Sequence, residues 1–167
     1  MVMVAEAHTI DPKVDARLPL RLLVVDDDPV QLKMLEHAAR LAGCDVISAA
    51  SHQEAIRCIE TSPFDCVILD LQLEDGDGID VCRILAQMNY TGSTIIISGA
   101  DAARRSSARA YARRMGIETL GLPKPVDLAS LRICLANLSK DLRGLPAVHA
   151  WGGTASDQVI GYHRTEI

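Results

Sequence analysis

The feature that most constrains this chain is a repeated alternation between short apolar runs and longer segments of helical period. The runs are Leu22-Leu23-Val24-Val25, Val46-Ile47, Cys66-Val67-Ile68-Leu69, Thr94-Ile95-Ile96-Ile97 and Thr119-Leu120-Gly121-Leu122. Strands covered on both faces need no polar alternation, and these show little. Between them, apolar residues recur three and four apart, as in Leu32, Leu35, Ala39 and Ala42, or in Ile79, Val81, Ile84, Leu85 and Met88. Each such set can cover one sheet face. Five strands separated by helices predict an α/β unit of (βα)5 type, doubly wound around a five-stranded parallel sheet.

Boundary signals agree with this pattern. Ser51-His52-Gln53-Glu54 has the form of a capping box opening the second helix, and Ala42-Gly43 closes the first. A last helix runs from about Asp127 through Leu128, Leu131, Cys134, Leu135 and Leu138 until Gly144-Leu145-Pro146 stops it. Residues 1–19, with Pro12 and Pro19, read as a flexible leader, residues 20–142 as the folded domain, and residues 143–167 as a tail without either period. Trp151 and Tyr162 in that tail could serve an interaction or dimerisation arm.

Composition narrows the class. Hydrophobic residues make up 49% but aromatic ones only 3%, which describes a core of Leu, Ile, Val and Ala. A net charge of -5 argues against a general nucleic-acid binder, whose affinity needs a basic surface. The five cysteines, Cys44, Cys58, Cys66, Cys82 and Cys134, form no C-x-x-C pair and sit mostly in apolar runs, so they read as buried reduced thiols. His37, His52, His149 and His163 lack metal-type spacing. No apolar run has signal-peptide or membrane-span length, so the expected location is the cytoplasm, away from the membrane.

In an open parallel sheet the ligand site lies at the carboxyl ends of the strands. The first strand ends in Asp26-Asp27-Asp28, the third in Asp70, the fourth in Ser98 and the fifth in Pro123-Lys124-Pro125. Several carboxylates gathered at one edge repel one another, and a hard divalent cation with oxygen ligands, Mg2+ or Mn2+, completes such a site. A carboxylate beside that cation is a competent nucleophile toward phosphorus. Asp28 followed by Pro29 has the form of a helix N-cap with proline in the first turn.

From about Arg21 to Ser139 the chain resembles the receiver domains of two-component response regulators, of flavodoxin-like, chemotaxis-receiver-like fold. The resemblance rests on Leu23-Val24-Val25-Asp26-Asp27-Asp28, Val67-Ile68-Leu69-Asp70-Leu71, Asp77-Gly78, Ser98-Gly99-Ala100 and Lys124-Pro125. It implies Asp70 as phosphoacceptor, Lys124 and Ser98 as groups contacting the phosphoryl oxygens, and Asp26, Asp27, Asp70 and the Gln72 backbone carbonyl as metal ligands. It also implies a sensor histidine kinase or phosphotransfer protein as partner, and self-catalysed phosphoryl transfer and autodephosphorylation rather than a conventional enzyme activity; that no nucleic acid is bound is expected from the net charge.

The chain departs from the family pattern at three places. Glu74 stands where the family usually has proline, four residues after the acceptor, and Gly121 where a tyrosine or phenylalanine gates the output face. Pro123 immediately before Lys124 stiffens the lysine loop. The fourth helix, near Asp101 to Met115, holds Arg104, Arg105, Arg109, Arg113 and Arg114, readable as a solvated face or as a protein-docking surface.

Two other readings compete. A degenerate receiver would bind partners without being phosphorylated. A haloacid-dehalogenase-like phosphatase would use Asp26 as nucleophile and Asp28 as general acid, because Asp26-Asp27-Asp28-Pro29-Val30 fits that motif; it leaves Asp70 without a role.

Overall fold

A computed structural model of the chain describes residues 19–99, 102–142 and 144. The five expected strands are β1 (Arg21–Val25), β2 (Asp45–Ala49), β3 (Cys66–Asp70), β4 (Ser93–Ser98) and β5 (Glu118–Pro123). Five helices alternate with them: α1 (Pro29–Leu41), α2 (His52–Thr61), α3 (Gly78–Gln87), α4 (Ala102–Arg114) and α5 (Leu128–Asp141). All pairings in the main sheet are parallel, and its strand order is β2-β1-β3-β4-β5.

The central strands are apolar on both sides because each side faces helices. Leu22, Val24, Cys66, Ile68, Ile95 and Ile97 meet Leu35, Ala38 and Ala39 of α1 and Leu131, Leu135 and Leu138 of α5. Their alternates Leu23, Val25, Val67 and Leu69 meet Ala55 and Ile59 of α2, Val81, Cys82 and Leu85 of α3, and Ala112 of α4. Full burial of each such Leu or Ile stabilises the fold by roughly 1.5–3 kcal/mol. Met88, which shares the spacing of this α3 set, is 46% exposed, because α3 ends before it and Met88 only caps the helix.

Helix starts follow the local sequence. Asp28 caps α1, its side chain accepting from the N–H groups of Val30 and Gln31, with Pro29 following it. Asp127 caps α5 in the same manner through Ala129 and Ser130. Ser51 caps α2 by accepting from the Glu54 N–H, but the reciprocal bond differs from a capping box: the Glu54 carboxylate accepts from Ala50 N–H at 2.8 Å, one residue earlier than the cap. After α1, Gly43 adopts φ +82, the left-handed conformation that terminates a helix at low cost.

Between β3 and α3 the chain forms a two-residue antiparallel ladder, Gln72–Leu73 against Gly76–Asp77, with Glu74 and Asp75 at its tip. The family resemblance implies a turn at Asp77-Gly78; in the structure Asp77 is the N-cap of α3 and Gly78 its first residue. A Cβ on Gly78 would sit 2.4 Å from the carbonyl oxygen of Asp70, so only glycine lets α3 begin this close to the end of β3. The expected leader up to residue 18 and the tail from 145, with His149, Trp151, Tyr162 and His163, lie outside the described residues, as do Ala100 and Asp101.

Candidate phosphoacceptor and metal site

Sheet register assembles the site. Val25 pairs with Leu69, so the residues that follow, Asp26 and the strand-terminal Asp70, lie side by side. Asp70 pairs with Ile97, and Ser98 with Pro123, which brings Ser98 and then Lys124 to the same edge. Carboxylate oxygens of Asp26, Asp27 and Asp70 lie within 4.8 Å of one another. Lys124 Nζ donates to Asp70 Oδ2 at 2.6 Å and to Asp26 Oδ2 at 3.0 Å.

The groups differ in exposure and in partners. Asp26 is wholly buried; its carboxylate accepts from the Asp28 N–H at 2.9 Å, and its own N–H donates to the carbonyl of Ala49. Burial pushes the Asp26 carboxyl above the usual aspartate value, while the Asp28 N–H and Lys124 hold it partly back. Asp70 is buried too, and its Oδ1 accepts from the Gln72 N–H at 3.1 Å. Asp27 is less buried and accepts at Oδ2 from the Glu74 N–H at 2.7 Å. Burial works against the Lys124 charge, but hydrogen bonds to Asp70 and Asp26 and their charges outweigh it and raise its pKa. Ser98 is buried, and its carbonyl accepts from the Lys124 N–H at 3.2 Å.

Asp28, although it completes the acidic triplet, is exposed and committed to the α1 cap, whose N–H groups lower its pKa. It is thus a turn and cap residue, which removes the general acid that the phosphatase reading assigns to it. Three oxygen-only donors fit a hard cation of the Mg2+, Mn2+ or Ca2+ kind and suit none of the softer metals that favour sulfur or imidazole.

Sequence reasoning did not foresee the contacts made by the hairpin tip. Glu74 was singled out only as a departure, yet its N–H orients Asp27. Asp75 accepts from the N–H groups of His52 and Gln53, the first two residues of α2. The Asp75-Gly76 dipeptide carries turn chemistry and is the signal from which such a hairpin could be suspected. At the other departure, a Cβ on Gly121 would lie 2.9 Å from Cδ of Arg109 on α4, so the Arg109 side chain covers the place of a side chain there.

Comparisons with known proteins identify the family. Residues 22–136 match the response regulator receiver domain. The chain belongs to that family. Response regulator MprA of Mycolicibacterium vanbaalenii is 33% identical over 114 residues, covering 68% of this chain and 48% of that protein. The alkaline phosphatase synthesis transcriptional regulatory protein PhoP of Bacillus subtilis is 33% identical over 81 residues, 48% of this chain and 34% of its own length. The chain therefore spans only a third to a half of these curated relatives' length. A 92-residue stretch of the signal transduction histidine-protein kinase BarA of Escherichia coli is 28% identical, covering 54% of this chain and 10% of that kinase. Among solved structures, a response regulator from Colwellia psychrerythraea superposes with TM-score 0.64 at 29% identity, covering 74% of this chain and 99% of that one. The Francisella response regulator 1452 receiver domain gives the same TM-score at 26% identity, covering 74% and 98%.

Proposed function

We propose that the chain is a phosphoacceptor that takes a phosphoryl group onto Asp70 from a sensor histidine kinase or phosphotransfer protein and thereby changes the affinity of a protein partner. The observation that carries this reading is the gathering of the Asp26, Asp27 and Asp70 carboxylates, with Lys124 bridging Asp26 and Asp70. An Asp70 carboxylate oxygen attacks phosphorus, the bond to the donor nitrogen breaks, and an acyl phosphate forms. Lys124, already at hydrogen-bond distance from the acceptor, follows the charge onto a phosphoryl oxygen, and the Ser98 hydroxyl contacts another.

Asp26, Asp27, Asp70 and the Gln72 carbonyl are the groups that would hold Mg2+ or Mn2+. Such a cation, when bound, neutralises charge on the phosphoryl oxygens and orients donor and acceptor. Asp26 is suited to that role by its burial, since a carboxylate without water gains most from a cation. Membership of the receiver family supports a histidine-kinase partner, and with it a cytoplasmic location.

For switching, Ser98 at the end of β4 moves toward the phosphorylated Asp70 and biases β4 and α4 between two arrangements. Arg109 across Gly121 stands on this path in place of an aromatic gate.

The test is incubation of the full chain with Mg2+ and acetyl phosphate, with intact mass read for wild type and Asp70→Asn. A hydroxylamine-labile phosphoryl adduct in wild type alone supports the reading. Absence of any adduct, together with absence of beryllofluoride binding, would replace it with a phosphorylation-independent binding module.

A further inference from the structure

We infer that Asp75 is a positioning residue for the acidic site: it pins the hairpin tip to the start of α2, and this anchorage holds the Glu74 N–H on Asp27. The inference rests on the proposed role of Asp27 as a cation ligand, but concerns a residue that the family pattern does not assign.

The two tip residues act in opposite directions. Glu74 gives its backbone N–H to Asp27 Oδ2 at 2.7 Å, on the side of the acidic site. Asp75, its neighbour, reaches the other way, with Oδ1 accepting from His52 N–H at 2.7 Å and Oδ2 from Gln53 N–H at 3.2 Å. These N–H groups belong to the first turn of a helix and have no intrahelical partner, so a carboxylate from outside is favoured there. The N–H of His52, more than any other group, lowers the Asp75 carboxyl below the usual aspartate value.

Side-chain packing closes the same joint. The His52 ring lies over Gly76, where a Cβ would be 2.7 Å from the ring's Cγ. Only the absence of a side chain at Gly76 lets α2 and the hairpin approach so closely. His52 Nε2 is buried with no hydrogen-bond partner among the described residues, so this edge of the ring is held by packing.

Without Asp75, the tip keeps the ladder of Gln72 with Asp77 and Leu73 with Gly76, the buried Leu73 side chain and the His52 ring over Gly76, but loses its two hydrogen bonds to the start of α2. A two-residue ladder is marginal alone. The Glu74 N–H would then leave Asp27, whose carboxylate would lose its fixed orientation, and cation affinity would fall while the chemistry at Asp70 stayed available.

The experiment compares the whole 167-residue chain as wild type, Asp75→Ala, Asp75→Asn and the control Asp80→Ala, whose carboxylate pairs on the surface with Arg83. Mg2+ is titrated by calorimetry, amide exchange is followed by mass spectrometry, and acetyl phosphate labelling is measured at saturating Mg2+. The expected result is a Kd for Mg2+ raised about tenfold in Asp75→Ala, the lower end of what an outer partner costs a metal site, with a smaller rise in Asp75→Asn. Labelling at saturating Mg2+ should stay within about twofold of wild type, exchange should quicken across residues 72–77, and Asp80→Ala should bind as wild type does. Unchanged Mg2+ affinity in both Asp75 variants, with faster exchange only at the start of α2, would overturn the inference and leave Asp75 a helix cap. Wild type that takes up no Mg2+ would overturn the proposed function and this inference with it.

Discussion

Arg109 lies across Gly121, its Cδ 2.9 Å from where a Cβ on that glycine would be. Both sit on the side of the sheet faced by α4, beside the buried pair Ile96 and Ala108. Arg109 Nε and Nη1 lie 3.5 and 3.6 Å from the same Cβ position, and the buried Nε has no hydrogen-bond partner among the described residues, so the whole end of the side chain packs there. The expected consequence is that Gly121→Ala stays within about 1 kcal/mol of wild type, because the clash is with the movable end of a long side chain and alanine suits a strand better. A double-mutant cycle with Arg109→Ala should give a coupling of about 0.5–1 kcal/mol, measured by urea unfolding, and a coupling of zero would deny the packing.

Lys124 is the cation that the buried carboxylates share in the absence of metal. Its side chain is 16% exposed, against 0% for Asp26 and 5% for Asp70. Lys124→Met leaves two buried carboxylates facing each other and should cost about 3 kcal/mol in metal-free buffer. Added Mg2+ should stabilise this variant more than wild type, as a thermal melt would show. The sign with pH follows from the raised lysine pKa: its contribution is present below the ordinary value of 10.5 and is lost as pH rises through the higher folded one. Wild type and Lys124→Met should therefore converge in stability only on the alkaline side.

Ser98 separates labelling from output. Ser98→Ala should accept phosphate from acetyl phosphate at a rate near that of wild type, because the nucleophile and Lys124 remain. The phosphorylated form of this variant should lose its gain in affinity for a partner captured by phosphorylated wild type, measured by surface plasmon resonance. Equal gains in both would sink the role given to Ser98.

Asp127 gives an acid-side prediction. Ser130 and the Ala129 and Ser130 N–H groups lower its carboxyl below the ordinary 3.8. A depressed folded pKa contributes stability above the unfolded value and loses it as pH falls through the folded one. Asp127→Ala should therefore melt below wild type at neutral pH, and the gap should narrow below about pH 4, the region of an ordinary aspartate. A gap independent of pH would show that the charge is irrelevant to the cap.

Thiol chemistry reports the core directly. Burial pushes Cys44 up to about 11 and Cys82 up to about 12, and raises Cys66 further still. Cys58 and Cys134, only partly buried, should react first with a disulfide reagent, and Cys66 only on unfolding. Early labelling of Cys66 would contradict its place in the central sheet.

The strands and the acidic edge were legible because both depend on short-range signals. Apolar runs such as Cys66-Val67-Ile68-Leu69 have only one accommodation in a sheet covered twice, and register then carries Asp26, Asp70, Ser98 and Lys124 to one edge. The Asp28 cap was legible for the same local reason, as was the start of the last helix near Asp127. The hairpin tip was not, since its anchor joins Asp75 to His52, 23 residues away, through backbone N–H groups that every residue carries. Nor could the sequence show that the Arg109 side chain fills the space over Gly121, because that depends on how α4 lies against β5.

The measurement closest to the central claim locates the phosphoryl group itself. Wild type labelled with acetyl phosphate and Mg2+ is reduced with borohydride, which converts an aspartyl phosphate to homoserine, and the peptides are sequenced by tandem mass spectrometry. The account predicts homoserine at position 70 and unmodified aspartate at positions 26 and 27. Homoserine at position 26, or none anywhere, would contradict it.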